Sequence, residues 1–191
     1  AMYMIEETER VVRIEPKNLK NNIDEMINEL AKAEFEGNVS GEGADAYVTI
    51  LVRNVKQVGE GRIVHGDPHV YQTVSFEQVV FKPMLNEIIE GYVEDVTKFG
   101  AFIRFGPMDG LLHVSQVVDG HVEVNEANKT LEVSDSDRKL GRGDRVRARI
   151  TTIDLNDKNL QGSKIGLTMR QPGLGAIKWI EEDERKGKGE A

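Results

Sequence analysis

The chain has 191 residues, of which 39% are hydrophobic and 30% charged, and its 33 acidic and 25 basic side chains give a net charge of −8. This length admits one or two small domains, and the absence of cysteine excludes a disulfide scaffold, a cysteine zinc site and a thiol nucleophile. No window approaches about 18 consecutive apolar residues, and no basic segment precedes an apolar one at the N-terminus. We therefore expect no membrane span, no secretory signal and a cytoplasmic location.

The first half of the chain shows the pattern of a small α+β unit. Residues 3–14 are predicted to form a strand, because the β-branched run ends before Pro16. A helix is predicted over 18–36 from apolar residues at helical spacing, and a loop over 38–45. Three further strands are predicted over 47–53, 62–65 and 70–81. The order of one strand, one helix and then several strands predicts the α+β class.

The second half shows an all-β pattern that begins after Lys82-Pro83, where proline interrupts strand pairing. Short segments rich in β-branched residues predict five strands, over 87–96, 99–105, 110–114, 144–154 and 163–170. Five strands within about 80 residues are typical of an OB-type barrel.

Three polar or weakly patterned segments complete the second half. We expect residues 117–140 to form a long exposed connection between the third and fourth strands. Leu174, Ile177 and Ile180 are three residues apart, which predicts one short amphipathic turn. The charged residues 182–191 are predicted to be a disordered tail.

The charge is unevenly distributed along the chain. Residues 1–90 carry 9 basic and 16 acidic side chains, whereas residues 91–170 carry 12 of each. Within the second segment, acidic residues over 123–137 precede a basic cluster over 138–149. A solvated strand face and a nucleic-acid patch explain this cluster equally well.

Six segments of the second half match a known pattern in both order and spacing. They are Gly91–Val93, Val96–Ile103, Gly110–Ser115, Gly143–Ile150, Ile153–Asp154 and Lys164–Met169. Together they resemble the S1-type RNA-binding domain, a family named after a ribosomal protein. The resemblance implies a five-stranded OB-fold barrel that receives single-stranded RNA. In the family, the positions that match Phe99, Phe102, His113, Asp154 and Lys164 form the RNA face.

The chemistry of the side chains agrees with RNA binding. Aromatic rings on neighbouring strands let unstacked bases stack, which contributes about 1 to 3 kcal/mol per base. Basic side chains beside them can contact phosphates. The predicted RNA-binding residues are Lys98, Phe99, Phe102, Arg104, His113, Asp154, Lys164 and Arg170. Packing inside the barrel is an equally good interpretation of Phe102, and a lone histidine is more often a structural partner than a ligand contact.

Three segments of the first half extend the resemblance to the whole chain. Tyr3–Pro16, Gly59–Ile63 and Phe76–Pro83, followed by the barrel, resemble the family of the archaeal DNA-directed RNA polymerase E-prime subunit, the counterpart of the seventh subunit of eukaryotic RNA polymerase II. The resemblance implies a ferredoxin-like, truncated RNP-like domain over 1–82 that docks on the polymerase core, and an S1-type domain over 83–181. It also implies a stalk heterodimer with the RNA polymerase F subunit that binds nascent RNA and supports initiation and elongation.

The best candidates for docking on the polymerase are two glycine-bearing loops of the first half. They contain Gly59, Gly61, His65, Gly66 and Asp67. Glycines let a loop fit a pre-shaped pocket without side-chain clashes. Ordinary turn chemistry explains the same residues equally well.

Motifs for catalysis are missing from the sequence. It has no glycine-rich phosphate loop before Lys-Ser/Thr and no zinc-binding His pair on a helix. His113 and Ser115 suggest a base and a nucleophile, but we expect strand geometry to keep the two side chains apart. We therefore predict no catalytic site, metal or cofactor in this chain. The alternative function is an RNA-processing factor, such as an exosome cap, or a translation-initiation factor with the same barrel.

Overall fold

The computed structural model describes residues 3–19, 22–155 and 163–189, which fall into two compact units. Unit 1 comprises the described residues up to Lys82, together with Leu155. Unit 2 comprises those from Pro83 to Asp154 and from Ser163 onward. Unit 1 is α+β and unit 2 carries a closed five-stranded barrel, so the predicted fold class is confirmed.

Unit 1 is an antiparallel sheet covered by one helix. Its elements are β1 (Tyr3–Ile14), α1 (Ile23–Phe35), β2 (Val39–Ser40), β3 (Tyr47–Gln57), β4 (Arg62–Ile63) and β5 (Val70–Phe81). The strand order is β1-β5-β3-β2, and β4 pairs with β5. Alternate residues of β5 are buried, which places Val74, Phe76 and Val80 on one face as their parity predicts.

Helix α1 begins later than its periodicity predicts. Asn18, the first residue of the predicted helix, is instead the last residue of a short 3-10 turn, Pro16–Asn18. The side chain of Asn22 then caps α1 by accepting a hydrogen bond from the backbone N–H of Asp24 at 3.1 Å. Ile27, Ala31 and Phe35 pack the helix into the unit 1 core with residues of β1, β3 and β5.

Unit 2 is built around the barrel. Its elements are β6 (Ile88–Thr97), β7 (Gly100–Phe105), β8 (Met108–His113), β9 (Val122–Asn125), β10 (Thr130–Val133), β11 (Lys139–Gly141), β12 (Arg145–Asp154), β13 (Lys164–Thr168), β14 (Gly175–Ala176) and α2 (Ile177–Gly189). The barrel strands follow the order β13-β8-β7-β6-β12, and pairing of β12 with β13 closes the barrel. Only the β8–β13 pairing within this barrel is parallel.

The prediction of an exposed connection over 117–140 is wrong. Strands β9, β10 and β11 form a three-stranded antiparallel sheet, which we call the insertion sheet. Val117, Leu131 and Leu140 are each at most 1% exposed. Leu131 pairs directly with Leu140, and both side chains are buried. The strands are only three or four residues long, so their few apolar positions are diluted by the polar residues around them.

The C-terminal predictions are also corrected by the structure. The short amphipathic turn is replaced by β14 and α2, and the helix continues to Gly189, through most of the predicted disordered tail. Trp179 anchors α2 because its side chain is 4% exposed and Arg138 lies 5.7 Å from the centre of its ring. Arg138 also pairs with Asp183 at 2.5 Å. Burial of Trp179 and this ion pair stabilise a segment whose polar composition alone predicts disorder.

Neither α1 nor α2, the helices of the described ranges, is long and apolar enough to cross a membrane.

Candidate nucleic-acid interface

A groove of about 620 Å³ runs over strands β7, β8 and β13 on the outside of the barrel. The pairing of neighbouring strands places its lining residues side by side. Phe102 on β7 lies opposite Leu111 on β8, and Leu111 lies beside Gly166 on β13. A side chain at position 166 would bring a Cβ to 2.3 Å from Thr152 Oγ1, so glycine is required where β12 and β13 approach each other. The groove therefore has an apolar floor formed by a row of residues on three adjacent strands.

Phe102 points outward and lies in this groove. Its neighbours Ala101 and Ile103 are fully buried inside the barrel, whereas Phe102 is 37% exposed. The alternation along β7 therefore excludes the interpretation that Phe102 fills the barrel. Its ring presents an aromatic surface to solvent.

Lys98 and Phe99 occupy the turn between β6 and β7. Phe99 is 57% exposed, and Lys98 Nζ lies 5.0 Å from the centre of its ring. Gly100 makes this turn possible, because its φ is +149° and a Cβ would lie 2.0 Å from the carbonyl oxygen of Leu112. The backbone N–H of Val114 donates to the carbonyl of Phe99 at 3.0 Å, which fixes the turn against the end of β8.

His113 lies at the end of β8, opposite Gly100, and also lines the groove. Its Nδ1 accepts a hydrogen bond from the backbone N–H of Ser115 at 3.1 Å and lies 2.8 Å from Ser115 Oγ. The prediction that strand geometry keeps these two side chains apart is therefore wrong. Residues two apart share a face even within a strand. In addition, β8 ends at His113, and residues 114–116 form a 3-10 helix that brings Ser115 back to the His113 ring.

The predicted basic residues fall into two groups. Arg104 donates to Asp109 at 3.4 Å and Arg170 donates to Asp119 at 2.9 Å, so both guanidinium groups already have carboxylate partners. Within the described ranges, Lys98 and Lys164 form no ion pair. These two ammonium groups are the predicted cations best placed to meet phosphates.

The predicted residues are not all brought together. Phe102, His113 and Lys164 line the groove, and exposed Asp154 lies opposite Lys164 in the β12–β13 pairing. Lys98 instead lines a second groove of about 460 Å³ at the insertion sheet. The other side chains of that second groove are mostly acidic or polar: Glu123, Val124, Asn125, Glu126 and Glu132.

The groove edge near Arg104 is rich in carboxylates. The pKa of Glu94 is raised above its usual value, because a hydrogen bond with the Asp109 side chain and its negative charge favour the protonated form. Arg104 and Arg142 oppose this shift. Asp109, which lines the groove, pairs with Arg104 at 3.4 Å and partly neutralises that cation.

Sequence reasoning missed the floor of the groove. Leu111 and Gly166 carry no polar chemistry, and they meet only because β8 and β13 pair in parallel across the closed barrel. Period-two alternation along β8 was the available signal, since it separates buried Leu112 from outward-facing Leu111.

The two predicted docking loops lie at one end of the unit 1 sheet. Gly59 lies between β3 and β4 with φ +67°, and Gly66 lies between β4 and β5 with φ +84°. Between these glycines, Ile63 is 77% exposed and Val64 is 55% exposed. Sequence reasoning did not select these two apolar side chains.

Asp67 braces the second of these loops, which also contains exposed His65. Its carboxylate accepts hydrogen bonds from the Tyr71 hydroxyl at 2.5 Å and from the backbone N–H of His69 at 2.9 Å. Together with the His69 side chain, these bonds hold the pKa of Asp67 well below its usual range, and Tyr71 has the largest effect. Asp67 therefore has a structural role in the loop.

The part of the chain that the structure describes contains no group of three or more His, Asp or Glu side chains placed to hold a metal ion.

Models of known protein families match parts of both units. A family model for the S1 RNA binding domain matches residues 82–165. A second model, the SHS2 domain found in the N terminus of Rpb7p/Rpc25p/MJ0397, matches residues 9–68. A solved structure of Mycoplasma genitalium RNase R in complex with ribose methylated single-stranded RNA is 22% identical over 44% of this chain and 13% of that chain, with a TM-score of 0.38.

Relatives also match along the whole chain. DNA-directed RNA polymerase subunit Rpo7 of Sulfolobus acidocaldarius is 32% identical over 97% of this chain and 98% of its own length. DNA-directed RNA polymerase II subunit rpb7 of Dictyostelium discoideum is 23% identical over 88% of this chain and 95% of its own length. The chain therefore belongs to the family of the archaeal DNA-directed RNA polymerase subunit Rpo7, as a non-catalytic polymerase subunit with a C-terminal S1 domain.

Proposed function

We propose that this protein works in the cytoplasm as part of a stalk heterodimer with the RNA polymerase F subunit, binds nascent single-stranded RNA in the barrel groove, and so supports transcription initiation and elongation. The observation that carries the RNA-binding part is the groove itself. It combines an outward-facing aromatic ring, a histidine and an ammonium group, contributed by Phe102, His113 and Lys164.

Each of these groups suits a different part of an RNA strand. A base stacks on the exposed ring of Phe102, and the apolar floor at Leu111 excludes water from beneath it. Lys164 attracts a phosphate, as does Lys98 beside the Phe99 ring. Phe99, which directly precedes β7, is also exposed and adds a second aromatic surface. The site therefore binds through stacking and phosphate contacts, the mode that proteins use for unpaired RNA.

Unit 1 is the proposed docking unit for the polymerase core. The loops with Gly59, Gly61, His65, Gly66 and Asp67 flank exposed Ile63 and Val64, so this end of the sheet offers apolar contact area. The hydrogen bonds of Asp67 hold the second loop in a defined conformation before it meets a partner.

Single-stranded RNA binding tests the groove directly. Phe102→Ala is expected to weaken the affinity for a labelled oligouridine about 5- to 150-fold, the range that loss of one stacked base implies. Phe102→Tyr keeps the ring and serves as the matched control. The double variant Phe99→Ala with Lys98→Ala is also expected to weaken RNA binding while the F subunit still binds. Unchanged affinity in both the Phe102→Ala and the double variant would place the RNA face elsewhere.

Co-purification from cell extract tests the assembly and separates it from the alternative function. The large polymerase subunits and the F subunit are expected to co-purify with the tagged full-length chain. Replacement of both Ile63 and Val64 by serine is expected to reduce the polymerase subunits recovered. Recovery of exonuclease or ribosomal proteins in their place would instead support an RNA-processing or translation factor.

A further inference from the structure

The hydrogen bonds of His113 determine which of its ring nitrogens carries a proton. A backbone N–H can only donate, and the N–H of Ser115 is directed at His113 Nδ1 over 3.1 Å. Nδ1 must therefore present its lone pair. The hydroxyl of Ser115, 2.8 Å from the same nitrogen, then has Nδ1 as an acceptor. In the neutral ring, the proton is consequently on Nε2.

The other ring nitrogen remains available to a ligand. Within the described ranges, His113 Nε2 has no hydrogen-bond partner, and the exposed ring lines the groove beside Phe102 and Lys164. Pairing of His113 with Gly100 fixes the position of its backbone. The ring is thus held at Nδ1 by its own chain, and no residue that the structure describes bonds to Nε2.

We propose that the backbone N–H of Ser115 keeps His113 in the Nε2–H tautomer, so that His113 offers a hydrogen-bond donor to RNA. This inference rests on the proposed RNA-binding function of the groove. The matching ligand group is an oxygen acceptor of the RNA strand: a base carbonyl, a ribose hydroxyl or a phosphate oxygen. Donor groups of the bases, such as exocyclic amines, are not matched.

The first experiment measures the tautomer in the free full-length protein, so it does not depend on RNA binding. Nitrogen-15 chemical shifts of the imidazole are recorded at pH 8, above the ordinary histidine pKa of about 6.5. The His113 signals are assigned by their loss in His113→Gln. The wild type is expected to show a protonated Nε2 and an unprotonated Nδ1. Ser115→Pro, which removes the backbone N–H that donates to Nδ1, is expected to shift both signals toward the averaged values of free imidazole, and Ser115→Ala, which keeps the N–H, is expected to leave them as in the wild type. A protonated Nδ1 in the wild type would overturn the proposal.

The second experiment measures the dissociation constant for oligouridine. The amide nitrogen of glutamine occupies the place of Nε2, whereas that of asparagine occupies the place of Nδ1. His113→Asn is therefore expected to weaken binding about fivefold more than His113→Gln, as for the loss of one hydrogen bond. Ser115→Pro is expected to weaken binding about threefold, and Ser115→Ala, which keeps the backbone N–H, is the matched control.

The two possible failures can be distinguished. Equal affinities of His113→Asn and His113→Gln, with binding still sensitive to Phe102→Ala, would overturn the role of His113 as a donor and leave the groove intact. If RNA binding is insensitive to Phe102→Ala and Lys164→Ala, the proposed function of the groove fails, whatever tautomer the free protein shows.

Discussion

Gly100 illustrates how one residue determines the shape of the candidate site. Its φ of +149° lies in a region that side-chain-bearing residues rarely adopt, and its Cα faces the carbonyl of Leu112. The close approach lets β7 begin directly beside the end of β8. Phe99 and His113 are brought to the same end of the barrel as a consequence.

Gly100→Ala is expected to destabilise unit 2 by at least about 2 kcal/mol, because the new Cβ adds backbone strain and a clash with a main-chain oxygen. Urea denaturation followed by circular dichroism measures this change in the free energy of unfolding. Gly120→Ala is the matched control, since the nearest atom to a Cβ there is 4.0 Å away. Equal stability of the two variants would show that the turn relaxes without cost.

Asp67 links the stability of unit 1 to pH. Its pKa is lowered in the folded state, so its contribution to stability is present above the unfolded-state pKa of about 3.9 and is lost as the pH falls below that value. Denaturation at pH values from 7 to about 3 is expected to show a stability gap between wild type and Asp67→Asn that is constant near neutral pH and begins to narrow below about pH 4. Tyr71→Phe removes the strongest donor to Asp67. In the Tyr71→Phe background, Asp67→Asn is therefore expected to reduce stability at neutral pH by less than it does in the wild type. A gap that does not change with pH would contradict this assignment.

At the scale of elements, the insertion sheet is part of the packed structure of unit 2. Leu131 and Leu140 are buried, and Lys129 Nζ lies 3.4 Å from the carbonyl oxygen of Val96 at the end of β6. Glu123 and Glu132 are directly opposite each other on β9 and β10, a like-charge pairing that usually destabilises a sheet. Burial of the leucines offsets that repulsion.

Leu131→Ala is expected to destabilise unit 2 by about 2 to 5 kcal/mol, the usual cost of a cavity in a core. Val122→Ala, at a half-buried position of β9, is the control and is expected to cost less than about 1 kcal/mol. Chemical denaturation of both variants measures the difference. Similar small effects of the two changes would mean that the insertion sheet folds independently of the barrel.

At the scale of the whole molecule, the net charge of −8 is the sum over two segments with different charge balance. Residues 1–90 carry a net charge of −7, from 16 acidic and 9 basic side chains, and residues 91–170 are balanced. In the described ranges of unit 2, the guanidinium groups of Arg104 and Arg170 are already paired, whereas Lys98 and Lys164 form no ion pair. We therefore expect modest RNA affinity that depends on few phosphate contacts.

The salt dependence of RNA binding tests this expectation. For two phosphate contacts on a single strand, the logarithm of the binding constant should fall with that of the salt concentration with a slope of about −1.4. Lys164→Ala is expected to reduce the slope by about 0.7. Lys178→Ala, which replaces a lysine already paired with Asp144, is the control and is expected to leave the slope as it is. A wild-type slope steeper than about −4 would mean that further cations take part.

Periodicity, together with proline and glycine, was sufficient to predict both fold classes and the order of the long strands, α1 and the five barrel strands. It failed where stability comes from distant partners. The strands of the insertion sheet are too short to show a period, and α2 depends on contacts between Trp179 and Arg138. In the candidate site, the residue types were predictable, but the pairing of Arg170 with Asp119 joins positions 51 apart in the sequence. No local pattern reveals such a pair.

Trp179 gives unit 2 an optical signal of its own. It is the chain's single tryptophan, and it lies in unit 2, with a guanidinium group near its ring. Three of the four tyrosines, Tyr3, Tyr47 and Tyr71, lie in unit 1. Light that excites tryptophan selectively will therefore report on the barrel-bearing unit alone. The unfolding of unit 2 can be followed in the intact chain without an added dye.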